Sequence, residues 1–148
     1  MNISTIRPWL LAAAFFAFAG CSTTSGVIVN PNLKHADYRS VYVVVHGSNS
    51  SDMDANLQKE FLRHGFSVSV GPEGGSTSGA QLVARYADDW KWDIAMYLHT
   101  LDVMVYDAKS NVMVASGSWK NSTFHGFYSS EKVVAKVVDQ TLAKIAAP

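Results

Sequence analysis

The sequence predicts an α+β domain in which helices pack on one mixed β-sheet. The continuous apolar run Val41–His46 is typical of a central strand covered on both faces. The segment Phe66–Val70 alternates apolar residues with serine, which is typical of a strand with one face in water. Between them Met53, Leu57 and Phe61 recur every four residues and form the apolar stripe of a helix.

The ends of this first helix are marked by residues suited to helix termini. Ser51 is the predicted N-cap, and Asp52 and Asp54 in the first turn complement the helix dipole. His64 lies in the predicted last turn, where the dipole favours a cation, and Gly65 is the predicted left-handed cap. We therefore expect a helix from residue 51 to about residue 64.

The rest of the chain predicts a short helix, a long hairpin and a final helix. The segments in order are a Gly/Ser loop at 71–79, a helix at 80–87, a strand at 92–106, a turn at 108–111, a strand at 112–121, an aromatic-rich loop at 122–129 and a helix from Ser130. The final helix is rich in valine, a mediocre helix former, so packing must stabilise it. The predicted architecture is a two-layer sandwich, β-α-β-α-β-β-α, with about four strands.

The amino-terminal segment has the pattern of an export signal. Arg7 precedes an apolar run at 9–19, which is shorter than the roughly 20 residues that cross a bilayer as a helix. Small residues follow, and then Cys21, the only cysteine of the chain. Since a lone thiol in an exported protein has no partner in its own chain, its presence at this position requires another explanation.

The stretch Phe18-Ala19-Gly20-Cys21 resembles the lipobox of bacterial lipoproteins, with Phe18 in place of the usual leucine. The resemblance implies that Cys21 is lipidated after cleavage and anchors the protein in a membrane. Ser22 after the cysteine, in place of aspartate, implies the outer membrane, with the domain facing the periplasm. The overlapping Ala17-Phe18-Ala19 also fits ordinary signal peptidase, which would release a soluble protein.

These patterns divide the chain into a signal peptide at 1–20, a lipidated cysteine with its tether at 21–37, and one periplasmic domain at 38–148. Within the tether, Val27–Val29 is an apolar patch that can pair as a short edge strand. The chain carries twelve basic and twelve acidic residues, so it lacks the basic surface that nucleic-acid binding requires.

The order of elements, the Tyr106–Lys109 turn and the stretch Trp90–Asp93 resemble a group of small periplasmic lipoproteins of unknown function. The fold of that group is similar to those of the lipopolysaccharide-assembly lipoprotein and the TolB amino-terminal domain. The resemblance covers about residues 38–146 and implies an architecture, and it provides no catalytic residues to carry over. It favours a non-enzymatic accessory protein of the cell envelope with an envelope protein as partner.

Candidate catalytic and metal-binding residues are scattered. No two of the five histidines have the helical spacing of a zinc motif, so we expect neither metal nor cofactor. A hydrolase that combines His46 or His125 with a nearby serine is a further alternative. The loop at 71–79 lacks the lysine of a phosphate-binding loop, and Glu73 would repel a phosphate, so it is interpreted as a connector.

Aromatic residues are the remaining candidates for a binding surface. They are Trp90, Trp92, Trp119, Phe124, Phe127 and Tyr128. From the sequence alone they can form part of the core, a protein-binding surface, or a platform for a glycan or lipid. The sequence therefore predicts a membrane-tethered interaction domain, with a glycan- or lipid-binding module as the alternative.

Overall fold

The structure, a computed structural model, describes residues 23–33, 37–45, 51–123 and 126–147. Cys21, His35, His46, Phe124 and His125 lie outside the described residues. The elements are β1 (Thr24–Val29), β2 (Ser40–Val44), α1 (Ser51–Arg63), β3 (Ser67–Gly71), β4 (Leu82–Trp92), β5 (Met96–Asp107), β6 (Met113–Lys120) and α2 (Ser130–Ala146).

All six strands belong to one mixed sheet with the order β1-β6-β5-β4-β2-β3. The pairs β1–β6, β6–β5 and β5–β4 are antiparallel, whereas β2 pairs in parallel with both β4 and β3. The predicted α+β class is confirmed. The predicted count of about four strands is wrong, because β1 and β4 also belong to the sheet.

The segment predicted as a short helix at 80–87 lies in strand β4. Leu82, Ala84 and Tyr86 are buried in the main core, while Val83 faces the opposite side of the sheet. Alanine favours helices, but here pairing with β2 on one side and β5 on the other overrides that local preference. The strand predicted at 92–106 begins at Met96, after a turn at 93–95.

The first strand extends the domain toward the amino terminus. Residues 24–29, assigned to the tether from the sequence, pair in continuous register with β6 from Thr24↔Lys120 to Val29↔Ala115. The possible edge strand at Val27–Val29 is thus part of a six-residue strand at one edge of the sheet. The paired part of the chain begins three residues after Cys21.

Both helices pack on the same face of the sheet and on each other, and the main core lies between them and the strands. The apolar stripe Met53, Leu57 and Phe61 is completely or almost completely buried. Asp54, predicted to complement the helix dipole, is only 8% exposed and accepts a hydrogen bond of 2.7 Å from the Tyr86 hydroxyl. This carboxylate therefore ties α1 to β4.

Helix α2 approaches β6 closely at Gly117. A Cβ atom added at Gly117 would lie 2.1 Å from Thr141 Oγ1 and 2.9 Å from Val137 Cγ1. Val137 and Thr141 are buried on the sheet-facing side of α2. The absence of a side chain at Gly117 therefore allows the helix to lie directly on the strand.

On the opposite face, the loop between β3 and β4 covers the parallel part of the sheet. Tyr42 and Val44 pack there with Val83 in a second, smaller cluster. The Tyr42 hydroxyl donates to the Pro72 carbonyl oxygen over 3.0 Å, and Glu73 pairs with Arg85. Within the described ranges, no helix is long and apolar enough to cross a membrane.

Candidate functional site at one end of the sheet

One end of the sheet brings together the start of β1, the end of β6 and the β4–β5 hairpin. Thr24 is paired with Lys120, Lys120 with Thr100, and Thr100 with Asp89, so these residues form one row across four strands. Beyond this row only strands β4 and β5 continue to pair. Their last pair is Trp92, at the end of β4, with Met96, at the start of β5. The hairpin therefore projects past the rest of the sheet, by roughly 10 Å for three residues of strand.

Large apolar side chains are concentrated at this end. On the hairpin, Trp92 is 72% exposed, Ile94 is 85% exposed and Met96 is 53% exposed. On the segment between β6 and α2, Phe127 is 57% and Tyr128 is 44% exposed. We refer to these five residues as the apolar end. They are half of the ten large apolar side chains that are exposed among the described residues.

Phe127 and Tyr128 are held in place by edge-to-face ring contacts. The ring centroid of Phe127 lies 6.0 Å from that of Tyr97, with the two planes 83° apart. The Tyr128 ring lies 5.6 Å from the Trp119 ring at 78°. Each exposed ring is thus supported by a ring on the sheet, an arrangement that aromatic pairs favour.

Asn121 organises the turn that leads to these rings. Its side chain is 4% exposed and donates 2.9 Å hydrogen bonds to the carbonyl oxygens of Leu98 and Gly126. Its Oδ1 atom accepts hydrogen bonds from the backbone N–H groups of Ser122 and Gly126. One buried amide therefore fixes the segment after β6 against strand β5.

A bulge in the β4–β5 pairing places His99 beside this turn. Asp89 is paired with Thr100 and Trp90 with Leu98, so His99 is the extra residue. His99 Nδ1 is buried without a hydrogen-bond partner among the described residues. A groove of about 260 Å³ lies here, lined by Tyr97, His99, Lys120, Asn121, Ser122 and Thr123. Its hydroxyl, imidazole and ammonium groups can hydrogen-bond a polar ligand.

The structure separates the aromatic residues that the sequence grouped as one candidate surface. Trp92, Phe127 and Tyr128 are exposed, as a binding surface requires. Trp119 is 3% exposed and belongs to the core, so it supports the surface but does not form it. Trp90 is half-buried against the core, and its Nε1–H group donates to Asp88 over 2.6 Å. Phe124, the sixth candidate, lies outside the described residues.

Sequence reasoning missed two members of the apolar end. Ile94 and Met96 were assigned to a long apolar strand, in which side chains are expected to be buried. The segment Trp92–Met96 instead forms a tight hairpin, with Asp93 N–H donating to the Ala95 carbonyl oxygen. The acidic residue Asp93 inside an apolar run was the available signal for this turn.

A cluster of charged residues lies away from this end, between the helices. Ligand atoms of Glu60, His64 and Asp139 lie within 4.8 Å of one another. The Arg63 guanidinium donates to Glu60 Oε2 over 2.7 Å and to Asp139 Oδ1 over 2.5 Å. Its hydrogen bond to Glu60 is the main cause of a raised Arg63 pKa. A cation of the chain already occupies this arrangement, which joins α1 to α2.

Comparison with known proteins shows a similarity of fold. Neither a protein-family model nor a curated protein matches the chain. Among solved structures, a PelC variant from Paraburkholderia phytofirmans, determined as a dodecamer, has a TM-score of 0.60 at 14% identity and covers 86% of this chain and 100% of its own. A second PelC dodecamer structure has a TM-score of 0.56 at 14% identity, covering 86% and 99%.

A PDZ domain protein from Parabacteroides distasonis is also similar, with a TM-score of 0.51 and 8% identity. The match covers 93% of this chain and 39% of that protein. At such low identities, these neighbours show the fold of the chain alone.

Proposed function

We propose that this chain is a lipid-anchored domain of the bacterial outer membrane that acts by binding and not by catalysis. The observation that supports the proposal is the apolar end, where five large side chains are 44–85% exposed. Exposed apolar patches mark the places where a soluble domain meets a protein, a membrane or a ligand. In this proposal Cys21 carries the anchor, and the domain is an accessory protein of the cell envelope.

The arrangement of charged side chains supports the same role. Arg63 joins Glu60 to Asp139, Lys59 pairs with Glu131, and Glu73 pairs with Arg85. Apart from the Arg63–Glu60 contact within α1, these pairs connect one element of the fold to another, so the charges contribute to its architecture. Binding at the apolar end requires no reactive group from any of them.

Self-association is one form that such binding can take. The PelC chains of similar fold are assembled as dodecamers. For this chain we treat a second copy as a candidate partner alongside a different envelope protein.

Site-specific photo-crosslinking in cells tests the proposal. A crosslinking amino acid is placed at Ile94 in the apolar end, and at Val112, an exposed apolar residue at the opposite end of β5. We expect Ile94 to form a dominant adduct with one envelope component, either a protein or lipid, and Val112 to form none. Equal labelling of abundant bystanders from both positions would contradict a binding role for this end.

The anchor is tested separately by labelling with radioactive palmitate. We expect incorporation into the wild-type chain and none into Cys21→Ser, because the thiol is the acceptor in the proposed modification. Label that persists in Cys21→Ser would show that the anchor is elsewhere.

A second candidate function is the binding of a glycan or lipid in the groove beside Tyr97. The unpartnered Nδ1 atom of His99 favours it, because a buried polar atom without a partner can gain a hydrogen bond from a ligand. Tryptophan fluorescence titration with peptidoglycan fragments and lipopolysaccharide tests this candidate. We expect Lys120→Gln, but not Lys109→Gln at the other end of the sheet, to weaken any response; no response in the wild type would exclude these ligands.

A further inference from the structure

The first described strand begins so close to Cys21 that the position of the anchor constrains the orientation of the domain. Cys21 precedes Thr24 by three residues, and three residues span at most about 10 Å when fully extended. Thr24 lies in the row of residues from which the β4–β5 hairpin projects. The chain therefore leaves the domain at the same end of the sheet that carries the apolar end.

The opposite end of the sheet lies farther from Thr24 than the length of the connection between Cys21 and Thr24. Strand β5 continues for seven residues from Thr100 to Asp107, which corresponds to roughly 24 Å. Val112 lies at that distant end, since its carbonyl oxygen accepts the Asp107 N–H. With Thr24 held within about 10 Å of the anchor, the domain cannot stand on this distant end, and Val112 reaches the membrane surface only if the strands lie along it.

We propose that the apolar end lies against the bilayer that holds Cys21, with Trp92, Ile94 and Met96 entering the membrane interface. This inference rests on the lipid anchor proposed above and names the occupant of the apolar end. The hairpin extends about as far beyond Thr24 as the connection from Thr24 to Cys21 does. Its tip and the acyl chains can therefore meet the same bilayer.

The chemistry of the hairpin suits an interface between water and lipid. Trp92 and Met96 are register partners, so their side chains lie together on one face, and Ile94 is at the turn between them. Tryptophan and tyrosine favour the headgroup region, where an apolar ring meets water on one side. Charges near the tip are partnered: Lys91 pairs with Asp89 over 3.3 Å, and Asp88 accepts the Trp90 Nε1–H.

Phe127 and Tyr128 widen the contact beyond the hairpin. They follow β6 at the same end and rest on Tyr97 and Trp119. A bilayer can cover both the hairpin and this segment. The bilayer is also the one occupant that the short connection from Cys21 to Thr24 places at this end.

The acyl chains alone are sufficient to hold the protein, because several chains anchor stably where one does not. The apolar end therefore determines orientation and not retention. The expected effect of changing it is on the depth and angle of the domain, and the protein remains in the membrane fraction. The experiment must accordingly measure the environment of individual residues.

Nitroxide labels on the acylated full-length protein test this orientation. Ile94→Cys and Val112→Cys are prepared separately in vesicles of phosphatidylethanolamine and phosphatidylglycerol; acylation of Cys21 leaves the introduced thiol as the one that reacts. We expect the Ile94 label to be several-fold more accessible to oxygen, relative to a water-soluble nickel complex, than the Val112 label. Equal ratios at the two positions would overturn the proposal.

The outcomes also separate this proposal from the one on which it rests. A nitroxide at Ile94 that is shielded from both reagents, or a photo-crosslinker at Ile94 that joins a second protein chain, assigns the apolar end to a protein and overturns the membrane contact alone. If Cys21 fails to incorporate palmitate, the proposed lipid anchor is wrong. The proposed orientation, which depends on that anchor, is then wrong as well.

Quenching by brominated lipid provides a second measurement on unlabelled protein. Trp92 is 72% exposed, whereas Trp119 is 3% exposed and Trp90 is half-buried. We therefore expect Trp92→Phe to lose most of the lipid-dependent quenching, with the protein still membrane-bound. Quenching that is unchanged in Trp92→Phe would show that Trp92 does not meet lipid.

Discussion

At the scale of single residues, Asn121 holds the segment that carries two residues of the apolar end. Its amide satisfies two carbonyl oxygens and two N–H groups of the backbone, and it lies where β6 ends. Phe127 and Tyr128, in the segment that it holds, depend on it for their position. A buried polar residue thereby determines where the exposed aromatic rings lie.

Replacement of Asn121 is therefore expected to destabilise the folded protein. We expect Asn121→Ala to lower the free energy of unfolding by roughly 1–3 kcal/mol, because buried backbone groups lose their partners. Urea denaturation measures this loss. Asn32→Ala is the matched control, because Asn32 is exposed, and it should change stability by less than about 0.5 kcal/mol. Equal losses in both variants would show that the Asn121 hydrogen bonds contribute little.

Some of the site was predictable from residue type and some was not. The sequence indicated aromatic residues near the hairpin, and Trp92, Phe127 and Tyr128 are exposed there. It did not separate them from Trp119, because burial depends on which residues the fold brings alongside. The role of Asn121 was equally hidden, since its partners at Leu98 and Gly126 come from two different segments.

At the scale of elements, the turn between β5 and β6 depends on one carboxylate. Asp107 Oδ1 accepts hydrogen bonds from the Ser110 N–H and hydroxyl, each over 2.7 Å, and from the Lys109 N–H over 3.2 Å. These hydrogen bonds, led by the one from the Ser110 backbone, lower the pKa of Asp107. The turn predicted at residues 108–111 thus has a specific electrostatic cause.

The lowered pKa predicts how this turn responds to pH. A carboxylate with a pKa below its unfolded value of about 3.9 stabilises the fold above that value and loses this contribution as the pH falls through the native pKa. We expect Asp107→Asn to lower the thermal midpoint at pH 7 and to converge with the wild type in acid. Melting curves from pH 7 to pH 2 check this; a constant difference across the range would contradict it.

The contact between α2 and β6 makes a further prediction at this scale. We expect Gly117→Ala to destabilise the protein by about 1–3 kcal/mol, because the new methyl group would displace Val137 and Thr141. Gly26→Ala on the neighbouring strand is the control, since its nearest atom would be 3.8 Å away. Thermal or urea unfolding of both variants measures the difference. Equal stabilities of the two variants would show that α2 can adjust.

At the scale of the whole molecule, the sequence predicted the class of the fold and the positions of both helices. Their apolar stripes are local patterns, so each could be recognised within a window of about fifteen residues. The pairing of β1 with β6 joins residues 24 and 120, and β2 lies between β3 and β4. Such pairings depend on distant segments, which explains why the strand count was too low and β4 was assigned to a helix.

Pairing between strands that are distant in sequence also determines which surfaces lie at the same end of the sheet. The start of β1, the hairpin between β4 and β5, and the segment after β6 are far apart along the chain, yet antiparallel register brings them into one neighbourhood. The candidate site is therefore a property of sheet order.

The pairing of β1 with β6 also has a mechanical consequence. Because antiparallel hydrogen bonds run perpendicular to the strands, a force applied at Thr24 along the strand axis loads the whole β1–β6 ladder in shear. The bonds then share the load and do not open one after another, as they would if the strand were peeled away sideways. Strand β1 is in this respect a clamp, which keeps the domain folded when its amino-terminal end is pulled.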